Sequence, residues 1–249
     1  MGLLTGISLF SGAGGLDLAA KWAGIRTVCY VENDAYAQGV LMSRFRDGGL
    51  DDAPIWDDVR TFDGTQWRGK VDCVFGGFPC QDISLSGKME GIDRGVKSGL
   101  WREFRRTISQ VGPRFVIVEN VPGDTRWIIR VRRDLREIGY LGRATPVFAC
   151  QHGAPFPRER VFVVAHAIGQ GREKGWALGK TEKHSPRRNR FQNQAWDSVG
   201  EKNASTSTLD GMANGLASRL DRIRCCGNGV VPQQAYPFFK EIVSMSVKG

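Results

Sequence analysis

The sequence predicts an α/β fold built on a doubly wound, mostly parallel sheet. Short apolar runs alternate with segments of helical periodicity through the first two-thirds of the chain, and regular strand–helix alternation implies a parallel sheet covered by helices on both faces. Val and Ile dominate the runs, as expected of strands buried on both sides. A Gly-rich turn joins the first run to the first helical segment, and open sheets of this kind hold ligands beyond the carboxyl ends of their strands.

Each element has its own signal. Residues 4–10 read as the first strand, 15–23 as a short helix after the Gly-rich turn, 27–32 as a second strand and 35–45 as a helix. Residues 71–78 form a third strand, 99–111 a helix and 115–121 a further strand. Ile128, Val131, Leu135 and Ile138 then recur at helical spacing, with Arg130, Arg132, Arg133 and Arg136 on other faces. Residues 147–150 and 161–165 end the series as strands. From 168 to 210 apolar runs are few. Between Gly171 and Arg190 seven Lys/Arg stand against two Glu, with Trp176, Phe191 and Trp196 interleaved along the segment. This stretch is a flexible loop, an insertion or a small DNA-reading element. Residues 227–247 return to an apolar pattern suited to packing back on the sheet.

The chain has 249 residues, enough to bury a core without staples, and a formal net charge of +9. That balance favours a polyanionic partner, nucleic acid first. The six cysteines include no C-x-x-C pair, so neither a zinc site nor a disulfide framework is indicated, and no metal is expected. No stretch approaches the ~20 apolar residues of a membrane span. A monomer in a reducing cytoplasm is expected.

Two segments carry chemistry. In Leu9-Phe10-Ser11-Gly12-Ala13-Gly14-Gly15 the glycines let the backbone approach a ligand. The dinucleotide fingerprint would need a third Gly at position 17, where Asp17 stands; beside the ligand, that carboxylate would suit a cationic sulfonium or amino group and repel a pyrophosphate. Glu32 ends the second strand, placed for ribose hydroxyls. The second segment, Gly76-Gly77-Phe78-Pro79-Cys80-Gln81, puts a cysteine where a strand gives way to a polar, Gly-rich loop. Cys29, Cys73 and Cys150 read as small buried hydrophobes; Cys80 reads as a nucleophile. The next strand ends in Glu119-Asn120-Val121, so thiol and carboxyl reach the same sheet edge and can face one small planar substrate.

FSGAGG, GGFPCQ, ENV and PRERVFVV in this order, with Gly227-Asn228-Gly229-Val230-Val231 near the end, resemble the cytosine-C5 DNA methyltransferase family, in particular its compact, phage-like members. The resemblance implies a Rossmann-like S-adenosylmethionine-dependent methyltransferase fold with a small irregular basic recognition element. It divides the chain into a cofactor-binding and catalytic domain (1–167), an abbreviated target-recognition region (168–226) and a closing segment that packs back (227–249). It implies S-adenosylmethionine held by Phe10, Gly12, Gly14, Gly15, Glu32, Asp58, Val59, Pro79, Leu100 and Asn228. Cys80 is then the nucleophile that adds to carbon 6 of a flipped-out cytosine, Glu119 the acid on the base, and Arg158 and Arg160 the supporting pair. Gln81, Ser84, Ser86, Arg187, Arg188 and Arg190 are implied contacts to double-stranded DNA in a prokaryotic or phage-infected cell, near its nucleoid. Restriction–modification is the implied setting.

The match departs in two places. Phe156 stands where the family carries Gln, and the recognition region is short, without a clear copy of the arginine-bearing motif that usually follows it. Three rival readings remain: an RNA cytosine methyltransferase, against which Gln81 argues; a weak or inactive DNA-binding relative, against which the intact Cys80, Glu119, Arg158 and Arg160 argue; and a nucleotide-dependent oxidoreductase, which Asp17 disfavours.

Overall fold

The computed structural model describes residues 2–79, 99–123, 125–169, 221, 225 and 227–247. Seven strands form one sheet: β1 (Leu4–Leu9), β2 (Ile25–Val31), β3 (Ile55–Trp56), β4 (Cys73–Gly77), β5 (Phe115–Asn120), β6 (Tyr140–Phe148) and β7 (Glu159–Ala167). Their order is β3-β2-β1-β4-β5-β7-β6. The first five are parallel to one another, whereas β7 runs antiparallel to both β5 and β6. Among the described residues α1 (Gly15–Ala23), α2 (Ala35–Arg46), α3 (Gly99–Val111), α4 (Arg126–Glu137) and α5 (Pro232–Val247) accompany them. The expected mostly parallel α/β sheet is present, and the order reverses between β1 and β4, which puts a crevice at their carboxyl ends.

Strand alternation distributes the core. Ile7, Leu9, Val74, Val116 and Val118 point to one face, where Trp101, Phe104 and Ile108 of α3 and Trp127, Val131 and Leu135 of α4 pack. Cys73, Phe75, Phe115, Ile117 and Phe162 point to the other, where α1 and α5 bring Leu16, Ala19, Phe238, Phe239 and Ile242. The closing helix is thus part of that layer: Phe75 meets Phe239 at 5.0 Å and Phe162 meets Phe238 at 4.9 Å between ring centroids.

Two expectations change, and one strand went unpredicted. The strand expected at 147–150 begins at Tyr140, and Cys150 lies in a 3₁₀ turn (Ala149–His152) where it is exposed, not a buried hydrophobe. An antiparallel strand with one exposed face mixes polar and apolar residues, so LGRAT hid its strand character. Two-residue β3 is too short to show a period. Cys29 and Cys73 are buried as expected.

Candidate active site

The strongest cluster lies at the carboxyl end of β5. Glu119 follows Phe115 and Ile117 on the α1/α5 face and is paired in register with Gly77 of β4 and Phe162 of β7. Its carboxylate receives the Nε of Arg160 at 2.9 Å, and both side chains are buried, with residue exposures of 7% and 8%. Burial pushes the Glu119 carboxyl up to about 7, with Arg160 and Arg158 pulling back against it. The pair therefore holds a carboxyl that exchanges a proton near neutral pH. Gly77 makes room for it: a Cβ there would lie 2.4 Å from Glu119 Oε2. Asn120 ties the two strand ends together, donating from Nδ2 to the Phe78 carbonyl at 3.1 Å while its Oδ1 accepts from Val121 N–H at 2.8 Å. Phe78 and Pro79 lead away from β4 at this point, and Cys80 is the next residue in the chain. The readings of Cys80, Gln81, Ser84, Ser86, Arg187, Arg188 and Arg190 lie outside the described residues.

Beside it, the turns after β1, β2 and β3 open on the same edge. Phe10 takes a positive φ of 53°, the only non-glycine among the described residues to do so. Its ring packs on Phe104 of α3 at 6.0 Å, which offsets the roughly 1–2 kcal/mol of a left-handed residue. Gly12 has φ 55° and open space where a Cβ would be. Glu32 receives Gly12 N–H at 2.7 Å and Asp34 N–H at 2.8 Å; each carboxylate oxygen keeps a further acceptor site. Val59 is buried, Phe10 and Leu100 lie partly exposed against the same core cluster, and Asp58 accepts the Arg60 N–H at 2.9 Å. Acceptor lone pairs at Glu32, open space at Gly12 and an apolar wall of Phe10, Val59 and Leu100 suit a nucleoside with a free ribose. Pro79 sits exposed at the end of β4.

Several assigned residues do something else. Asp17 does not face the ligand side: it is buried, accepting Ser8 Oγ at 3.0 Å and Thr27 Oγ1 at 3.1 Å, and burial pushes it up to about 7. It braces α1 against β1 and β2. Gly14 is spare because Leu50 fills the space of its Cβ, and Gly15 because the Val230 carbonyl lies 2.6 Å from where its Cβ would be. Arg158 does not touch Glu119; its Nη2 donates to the carbonyls of Gly227 (2.6 Å) and Gly229, clasping the closing segment. Asn228 is exposed on that segment.

Sequence reasoning missed Arg106. From α3 it donates to the Val59 carbonyl at 2.7 Å, the Phe62 carbonyl at 2.9 Å and Gln110 Oε1 at 2.8 Å, fixing the turn that carries Asp58 and Val59. No motif marks it; its partners are remote in sequence. The signal for Asn120 was available in ENV. Among the described residues no group of three His, Cys, Asp or Glu side chains converges as a metal site.

A sequence model of the C-5 cytosine-specific DNA methylases matches residues 4–214. The chain belongs to the C-5 cytosine-specific DNA methylase family. Among methylase relatives, the Type II methyltransferase M.PspPI of Psychrobacter sp. is 33% identical over 164 residues, covering 64% of this chain and 38% of that protein. M.Eco47II of Escherichia coli is 32% identical over 171 residues, covering 65% and 39%, and M.AquIA of Picosynechococcus sp. is 32% identical over 187 residues, covering 66% and 72%. The matched part thus spans about two-fifths of the first two relatives. Of solved structures, a prophage-encoded E. coli protein described as a DNA modification methyltransferase superposes with a TM-score of 0.54 at 27% identity, covering 66% of this chain and 47% of that one. Spodoptera frugiperda DNMT2, at 20% identity and a TM-score of 0.55 over 68% and 51% of the two chains, shares the methylase fold.

Proposed function

We propose that the protein transfers a methyl group from S-adenosylmethionine to carbon 5 of a cytosine flipped out of duplex DNA. The observation that carries the reading is the buried Glu119–Arg160 pair at the carboxyl end of β5, in register with the strand that leads into Pro79-Cys80. Carbon 5 of cytosine is a poor nucleophile until the ring is activated. Cys80, as thiolate, adds to carbon 6 while Glu119 delivers a proton to ring N3, so the ring becomes an enamine with its electron pair at carbon 5. Arg160 orients Glu119 and keeps a positive charge beside the thiolate. When bound against Phe10, Gly12, Glu32, Asp58, Val59 and Leu100, S-adenosylmethionine supplies the sulfonium methyl that carbon 5 accepts. Loss of the carbon-5 proton to water and elimination of the Cys80 sulfur restore the aromatic ring and the thiol.

A base inside a duplex exposes neither face of carbon 6, so extrusion precedes addition, at a cost of a few kcal/mol. The loop bearing Ser84 and Ser86 is proposed to close over the extruded base, and the basic region 168–226 to read the flanking sequence. The family membership, the relatives named Type II methyltransferases and the net charge of +9 support DNA as the substrate.

Incubation with S-adenosylmethionine and duplex DNA carrying 5-fluorocytosine tests the reading, because fluorine at carbon 5 blocks the elimination. A covalent protein–DNA species is expected with the wild-type chain and absent from Cys80→Ala, which still binds the cofactor. No adduct from the wild type, with bisulfite sequencing of DNA from expressing cells showing no methylated cytosine, would overturn it.

A further inference from the structure

We propose that the outward face of α4 is a second DNA-binding surface, which grips the phosphate backbone of the duplex flanking the target base; this rests on the reading that duplex DNA is the substrate. The helix has five arginines against one Asp and one Glu in twelve residues. The inward face takes Trp127, Val131, Asp134 and Leu135 into the core. Asp134 is spent there, accepting Trp101 Nε1 at 2.9 Å and Arg130 Nε at 2.7 Å. Glu137 is held by Arg105 of α3 at 3.0 Å. Arg133 lies 3.4 Å from Asp134 and 3.8 Å from Glu137, so the acids of the helix serve the interior, Arg105 and Arg133, and none reaches Arg132 or Arg136 among the described residues.

What faces outward is Ile129, Arg132, Arg133 and Arg136, all exposed, with Ile129 at 67%. These positions recur at helical spacing on one stripe. Arg132 is engaged through Nε alone, to the Gly142 carbonyl at 3.1 Å. Arg136 has no acidic partner among the described residues. Like charges at i,i+3 and i,i+4 destabilise a helix by a few tenths of a kcal/mol per pair, so an ordinary solvated face would mix signs. A polyanion removes that repulsion, and the guanidinium fork suits phosphate oxygens. The placement fits: α4 starts just after Glu119 and Asn120, so its amino end lies at the sheet edge where the cytosine is proposed to enter. From that edge the stripe runs back along α4, through Arg132 to Arg136 in the last turn. Arg132 and Arg136 stand ~6 Å apart along the axis, close enough for successive contacts to one strand.

The test compares Arg132→Gln/Arg136→Gln with Arg26→Gln/Arg46→Gln, which removes the same charge at the start of β2 and the end of α2, beside β3 at the far side of the strand order from β6, against which α4 packs. Binding of random-sequence duplex is followed by fluorescence anisotropy between about 50 and 200 mM salt. The α4 variant is expected to bind about tenfold more weakly at the low end, with the log–log salt slope shallower by about 2, while the control keeps the wild-type slope. Methyl transfer at saturating DNA stays unchanged in both. A wild-type slope in the α4 variant, or an equal loss in both variants, overturns the surface while leaving the substrate reading intact. Failure of the wild-type chain to bind duplex at any salt overturns the substrate reading and the surface with it.

Discussion

Glu119 and Asp17 share one physical cause and serve different ends. Both are buried carboxyls pushed up to about 7, one beside Arg160 and one beneath two hydroxyls. In the proposed reaction the protonated Glu119 is the active form, so the single-turnover rate falls as pH rises through about 7. Glu119→Gln keeps an amide in place of the acid and is expected to lose about 10²–10⁴ in rate together with that alkaline limb, as read in pH–rate profiles of both proteins. Asp17 acts on stability. Between its ordinary value of 3.8 and about 7 the folded state binds the proton that the unfolded state has released, so stability falls as pH rises through this window. Asp17→Asn is expected to flatten the decline of Tm between pH ~4 and ~7, with a gain relative to wild type at the upper end; an unchanged slope would place the titration elsewhere. Gly77 shows how a residue's reason hides in sequence. GGFPC reads as the approach to a nucleophilic thiol, yet Gly77 is bare because Glu119, 42 residues later, occupies the space of its side chain. Gly77→Ala is accordingly expected to displace Glu119 and abolish methyl transfer while circular dichroism stays native.

At the scale of elements, the strands and helices that a period could announce are the ones the chain forms. Helices 15–23 and 99–111 begin and end at the residues their apolar spacing indicates, because each lays a continuous stripe on the sheet. The antiparallel pair β6–β7 escaped in part, since β6 has the outer edge of the sheet and alternates its burial. The turn after β3 was legible only as Asp58-Val59; what holds it is Arg106, reaching from another element to Val59, Phe62 and Gln110. Arg106→Ala is expected to weaken S-adenosylmethionine binding by about tenfold through a loosened turn, measured by calorimetry, because about 1–3 kcal/mol of charge-assisted hydrogen bonding is lost there. Arg106→Lys, which reaches fewer acceptors, should restore only part of it; full affinity in both would show that the turn stands without the guanidinium.

Over the whole molecule, the chain returns at its end to complete the layer it began with. α5 packs on α1 and the sheet, Gln234 donates to the Val147 and Arg158 carbonyls at 2.8 and 2.9 Å, and Arg158 clasps Gly227 and Gly229. A chain ending at residue 226 exposes Phe238's and Phe239's sockets and loses Ile242 as well. At about 1.5–3 kcal/mol for each buried side chain, the loss is about 5–9 kcal/mol, comparable with the net stability of a domain. The truncated chain is expected to show no cooperative thermal transition. A transition within a few degrees of wild type would mean that the first 226 residues form their core alone.

By itself, the amino-acid order determined the α/β layering, the Gly-rich turn, the family and the identity of the acid at the end of β5, because each is written in local periodicity or in a short contiguous motif. Only the tertiary structure decided that Arg160 rather than Arg158 pairs with Glu119, that Asp17 turns inward to Ser8 and Thr27, and that Arg106 and Gly77 serve residues far along the chain. Those assignments depend on which side chains meet after strands pair in register, and register is set by the packing of the whole sheet rather than by any one segment.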